Sequence, residues 1–198
     1  MNFRFSEDFL KVLELGRDEA LRTGWRNIGI DHLVLGILRH GDNSAARALK
    51  ALGIAPDEFK ARIDGAVFSC DEIPYAELNS ILPGPDALRL ISLASVESVR
   101  TGGETTPLHL LLALDQAGRC FSRDFLSSLG IGREEILRAA GTVPGNCTEK
   151  ATDSPVADCR KPEGDMAAEA QFPDTEELSR ALGSWLISKS SAPDGTFS

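Results

Sequence analysis

Six residues, Glu19-Ala20-Leu21-Arg22-Thr23-Gly24, return 78 positions later as Glu97-Ser98-Val99-Arg100-Thr101-Gly102. His32-Leu33-Val34-Leu35 returns after 77 as His109-Leu110-Leu111-Leu112, and Leu52-Gly53-Ile54 after 77 as Leu129-Gly130-Ile131. One residue deleted between the first two segments of the copy accounts for the change of offset. A chain that repeats itself in this way must fold each copy alike, so whatever residues 5–67 form, residues 82–140 form again. Units of this length bury little core alone, which predicts that the two pack together about a pseudo-twofold axis, joined by a polar linker over 69–80.

The local pattern within each copy is helical. Ser6 is placed to cap a helix whose first turn holds Glu7 and Asp8, and Phe9, Val12, Leu13, Gly16 and Ala20 follow at helical spacing. His32 to Leu38 is apolar all round, as in a helix inside a bundle. Ser44 to Leu52 reads as a third helix closed by Gly53, and Pro56 opens a fourth with Phe59, Ile63 and Val67. Strand signals are nearly absent. The expectation is an all-α fold: two tandem four-helix repeats forming one eight-helix domain over residues 1–140.

Beyond Ala140 the composition changes. From Gly141 to Gln171 the sizeable apolar side chains are Val143, Val156 and Met166, and Pro144, Pro155 and Pro162 interrupt them. Such a segment cannot bury enough surface to offset its ordering entropy, so 141–171 is expected to be a disordered acidic linker. Residues 172–198 differ again. Leu178, Ala181, Leu182, Trp185 and Leu186 form one apolar stripe on a predicted helix over 174–188, with Asp174 and Glu177 in capping-box positions. Two readings stay open: a tethered recognition helix anchored by Trp185, or a helix docked back onto the repeats. Gly183 within the stripe weakens the helix in either case.

Charge and cysteine usage narrow the partners. A formal charge of −9 argues against nucleic acid and anionic membrane as binding surfaces. No apolar run reaches the roughly 20 residues of a membrane span, and the charged start, Met-Asn-Phe-Arg-Phe-Ser-Glu-Asp, lacks a signal peptide's apolar stretch. Cys70, Cys120, Cys147 and Cys159 are widely spaced, without a C-x-x-C pair, and are expected to be reduced thiols. These features predict a cytoplasmic protein.

Three segments, in order and in register, resemble the Clp chaperone N-terminal (double Clp-N) domain family. Arg4-Phe5-Ser6-Glu7 is similar to that family's R-F-T-E opening. Gly29-Ile30-Asp31-His32-Leu33-Val34-Leu35-Gly36-Ile37-Leu38 resembles its G-T-E-H-L-L-L-G-L-L helix, and Ala45 to Ile54 its A-A-R-V-L-x-x-L-G-V segment. The resemblance runs over residues 3–140 and includes the duplication. It implies a binding module that receives substrates or adaptor proteins ahead of ATPase rings. The sequence holds no Gly-Lys dipeptide and hence no G-x-x-x-x-G-K-[ST] phosphate loop. The expectation is therefore a non-enzymatic accessory, adaptor or regulator of a Clp-type unfoldase or protease, without cofactor or metal. The alternative is a regulatory protein that reuses the fold outside proteolysis and recognises its target through the tail helix.

Some members of that family bind phosphoarginine with a carboxylate just before the second-helix histidine and a hydroxyl at the first helix's start. Asp31 and Ser6 stand at those positions in the first repeat, and Leu108 and Gly84 at their equivalents in the second, so the resemblance implies at most one such site. The bland alternative makes Ser6 a helix cap and Asp31 a first-turn acid. His32 and His109 occupy matching places, which points to a repeated structural hydrogen bond rather than a metal ligand. His40 stands at a helix end, and no nucleophile–base spacing is evident.

Overall fold

The computed structural model describes residues 4–69, 73–74, 80–101, 103–141 and 175–190. In the first repeat, α1 (Glu7–Arg22), α2 (Ile30–His40), α3 (Ser44–Ala51) and α4 (Pro56–Val67) follow one another; in the second, α5 (Pro85–Thr101), α6 (Pro107–Ala113), α7 (Phe121–Ser128) and α8 (Arg133–Ala139) do the same. The last helix is α9 (Thr175–Ser190). The fold is all-α, as the periodicity predicts. Helix starts follow local chemistry: Ser6 Oγ accepts the Phe9 N–H at 3.2 Å, and Pro56, Pro85 and Pro107 open α4, α5 and α6. At α3 the cap is Asn43, whose Oδ1 accepts the Ala46 N–H at 2.9 Å, with Ser44 the first helical residue. Gly53 and Gly130 take φ of +80° and +70° at equivalent helix ends, which is why Leu-Gly-Ile recurs.

Strand is confined to short pieces, as expected. Two-residue strands β1 (Asn27–Ile28) and β2 (Leu82–Pro83) pair in parallel, Ile28 opposite Pro83, and an isolated parallel bridge joins Phe5 to Thr105. These are too short to carry a periodic signal. Their arrangement states the symmetry: the repeat offsets carry Phe5 to Pro83 and Ile28 to Thr105, so the two pairings are each other's mates. The hydrogen bonds match, Ser6 N–H to Thr105 O at 3.0 Å and Gly84 N–H to Ile28 O at 2.9 Å. This reciprocity is the mark of a twofold relation within one chain.

A single apolar core runs through both repeats, from Phe9, Leu33 and Phe59 in the first to Leu90, Leu110 and Ile136 in the second. The repeats interlock. Helix α3 packs on α6 and α8, while α7 packs on α2 and α4, stacking Phe125 on Phe59 with centroids 4.8 Å apart. Equivalent buried acids tie the ends of α1 and α5: Glu19 to Arg22 at 2.6 Å and Arg39 at 3.4 Å, and Glu97 to Arg133 and to Arg100 at 3.6 Å. Leu178, Leu182 and Leu186 of α9 belong to the same core. The linker over 69–80 is described only at Ser69, Ile73, Pro74 and Ser80, and the expected disordered segment lies, after Gly141, outside the described residues, as do Asp174, Cys70, Cys147 and Cys159.

Candidate protein-binding face

The short strands mark two junctions between repeats, and the candidate residues fall on different ones. Ser6 opens α1 against Thr105, just before α6, so its family-type partner position is occupied by Leu108. Asp31 opens α2, whose preceding strand meets Gly84. No hydrogen bond joins Ser6 to Asp31. Each junction keeps one of the two polar groups and has lost the other.

Asp31 has a structural occupation. Its Oδ1 accepts from the Ser122 N–H at 2.8 Å and the Ser122 hydroxyl at 2.5 Å, and its Oδ2 accepts from the Phe121 N–H at 3.1 Å. It thereby caps α7 from another helix, a place where Cys120, the residue preceding α7, supplies no side-chain cap. The mate of this contact is weaker: the Leu108 N–H donates to Ser44 Oγ at 3.3 Å. Residues 31 and 121 map onto 108 and 44 under the 77-residue offset. Ser122 and Ser44 were missed from sequence, and the repeat register is the one signal that pairs them with positions 31 and 108.

The two histidines repeat one device. Nδ1 of His32 accepts the Gly29 N–H at 2.9 Å, and Nδ1 of His109 accepts the Thr106 N–H at 3.0 Å. In His32 the proton then resides on Nε2, which faces Thr23 Oγ1 at 3.1 Å while that hydroxyl donates to Glu19 O at 2.7 Å. Burial pushes both imidazoles below their ordinary value, against the opposing pull of Asp31 and Glu19 on His32 and of Glu97 on His109. His40 lies 3.4 Å from Asp8. Cys120 is half-buried and free, its thiol pushed up to about 11 by burial, the opposite of an activated nucleophile. Among the described residues no cluster of three or more His, Cys, Asp or Glu could hold a metal ion.

In the structure the tail stripe is packed on the repeats. Leu178, Leu182 and Leu186 are sealed against the domain and Trp185 packs partly buried beside them. Helix α9 lies over β2 and α5, with Gly183 against Leu82: a Cβ there would meet Leu82 Cδ2 at 3.5 Å. From α1, Arg17 Nη1 donates to Leu186 O at 3.2 Å. Between the first turn of α9 and the start of α5, a cleft of about 550 Å³ is lined by Asn27, Gly84, Leu88, Glu176 and Arg180. No helix among the described residues is long and apolar enough to cross a membrane.

Comparison with known proteins places this architecture. The family described as Clp repeat (R) N-terminal domain matches residues 4–129. The chain is 31% identical over 156 residues to the negative regulator of genetic competence ClpC/MecB of Bacillus subtilis, covering 76% of this chain and 19% of that protein. It is 30% identical over 144 residues to the chaperone protein ClpB of Oceanobacillus iheyensis, covering 70% and 17%. The chain thus spans about a fifth of the length of these curated relatives. Among solved structures, the N-terminal domain of the caseinolytic protease associated chaperone ClpD from Arabidopsis thaliana superposes with a TM-score of 0.56 at 20% identity, over 72% of this chain and 96% of that one. The Hsp104 N-terminal domain from Candida albicans gives 0.55 at 15%, over 69% and 89%. The family model covers most of both repeats, and this chain belongs to the Clp repeat (R) N-terminal domain family.

Proposed function

We propose that the chain is a non-enzymatic protein-binding module serving a Clp-type ATP-dependent unfoldase or protease in the cytoplasm, as accessory, adaptor or regulator, through contacts with substrates, adaptors or the chaperone ring. The observation that carries this reading is the family match across both repeats, folded here around one core. Nucleic acid and membrane are not its partners in this reading, and no cofactor takes part. Affinity capture from native cytosol with the full chain as bait tests it. Recovery of a Clp ATPase or protease subunit is the expected result, and its absence from the captured set overturns the reading.

Phosphoarginine recognition is the finer part of the proposal, and because Ser6 and Asp31 stand at different junctions, each would serve it without the other. It requires Asp31 to serve a guanidinium while three donors from α7 already occupy its oxygens. Titration calorimetry with free phosphoarginine decides: heat that falls with Ser6→Ala and Asp31→Ala supports the site, and no heat with the natural chain removes it. The alternative reading, a regulator outside proteolysis that recognises its target through the tail helix, needs α9 to leave its seat, since the docked stripe is covered.

A further inference from the structure

Among the described residues, the seat of α9 is a large apolar surface whose occupant arrives from outside the repeats. Leu178, Leu182 and Leu186 are 0%, 2% and 1% exposed in it. The pseudo-twofold axis supplies no second seat, because the register mate of Leu82 is Arg4, itself exposed, and that of Arg17 is Ser95. The groove is a property of this one junction.

Its resident is tethered differently from the helices of the repeats. A 16-residue helix is marginal in water, and Gly183 in mid-stripe weakens it further. Short turns connect α1 to α4, whereas 35 residues, 140–174, separate α8 from α9, so α9 can leave its seat without moving α8. The fit is incomplete at both ends. The cleft of about 550 Å³ opens beneath the first turn. Near the last turn, Arg17 spends Nη1 on the Leu186 carbonyl while its buried Nε finds no partner among the described residues, a charged donor that a carboxylate would satisfy better than a carbonyl.

We infer that the groove over β2 and α5 is a helix-binding site, and that α9 is an intramolecular occupant displaced by a partner's amphipathic helix with leucines at i, i+4 and i+8 and a carboxylate in the following turn, against Arg17. The leucine spacing is that of α9 itself, and the carboxylate answers the unused guanidinium N–H. The inference does not depend on service to a Clp ring. It makes the bound α9 an autoinhibitory contact for whatever helix the groove receives.

Fluorescence anisotropy with two labelled peptides tests it: residues 172–191 in natural sequence, and the same peptide carrying Lys189→Glu. Full-length Leu182→Asp, which unseats α9, should bind the natural peptide at least about tenfold more tightly than the natural chain. The Lys189→Glu peptide should bind more tightly still, and Arg17→Gln should erase that preference. Gly183→Ala guards against a variant that merely misfolds. Its Cβ makes ordinary contact with Leu82, and the gain of about 1 kcal/mol in helix propensity should weaken peptide binding to the full chain about fivefold. Equal binding by the natural chain and Leu182→Asp, or no binding by either, makes α9 a permanent part of the core and overturns the proposal. A dimer of the natural chain in light scattering, lost with Leu182→Asp, assigns the groove to a second copy's α9 and overturns it equally.

Discussion

Gly36→Ala is the most exacting single test of how the first repeat is packed. Helices α1 and α2 cross with Gly16 and Gly36 at the contact. A Cβ at Gly36 would stand 2.5 Å from the Val12 carbonyl oxygen, 2.9 Å from Gly16 N and 3.3 Å from Gly16 Cα. All three obstacles are backbone, so no side chain can swing aside. Restoring contacts of about 3.5 Å requires the helices to part by roughly 1 Å. Overpacking of this kind costs about 1–3 kcal/mol, and with a rigid obstacle we take the upper end; the better helix propensity of alanine returns about 1 kcal/mol. The net loss is about 2 kcal/mol, which in a domain of this size lowers Tm by roughly 4–8 °C. Thermal unfolding of the full chain followed by circular dichroism at 222 nm is the assay. Two controls sharpen it. Gly16→Ala meets His32 O at 3.2 Å and Leu33 Cδ2 at 3.3 Å, so its strain and its propensity gain should nearly cancel. The second repeat already has alanine at the mate positions, Ala94 and Ala113, so Ala113→Gly should lose only about 1 kcal/mol, mostly propensity. An unchanged or raised Tm for Gly36→Ala refutes the close-crossing argument.

Asp31→Ala should destabilise the chain by about 1.5–3 kcal/mol, since it strips three donors at the start of α7, while Asp31→Asn should recover part of this; calorimetry measures the loss, and faster amide exchange confined to Phe121 and Ser122 locates it. Stability should also fall in acid. His32 and His109 titrate below their ordinary value of 6.5 when folded, so in acid the unfolded chain binds more protons. Their contribution is complete above pH 6.5 and is lost as pH falls through the depressed folded values. Tm measured from pH 7.5 down to pH 5 should decline, and His32→Gln should flatten that slope; a slope unaltered by the substitution refutes the assignment.

Much of the fold was legible because repetition and periodicity are local facts. Ser6, Pro56, Gly53 and Gly130 do what their types and positions dictate, and the paired histidines accept backbone N–H groups in both repeats at matching places. The candidate site was less legible. Ser6 and Asp31 read as neighbours because each sits at a helix start within one repeat, yet the twofold axis sends them to different junctions. Asp31 finds its donors about 90 residues away, at Ser122 and Phe121, and no local pattern contains that information.

What the sequence determined by itself is the helical content and the duplicated architecture, and through them the family, since each follows from spacing that survives in any compact arrangement. Tertiary structure decided which residues meet across the axis. It set two-residue strands at the junctions, turned Asp31 into a cap for α7, and seated α9 on Leu82. An amphipathic stripe specifies that a surface must be buried and leaves open against what. That choice belongs to the one groove where the repeat's symmetry is broken, with leucine at position 82 where its mate is Arg4.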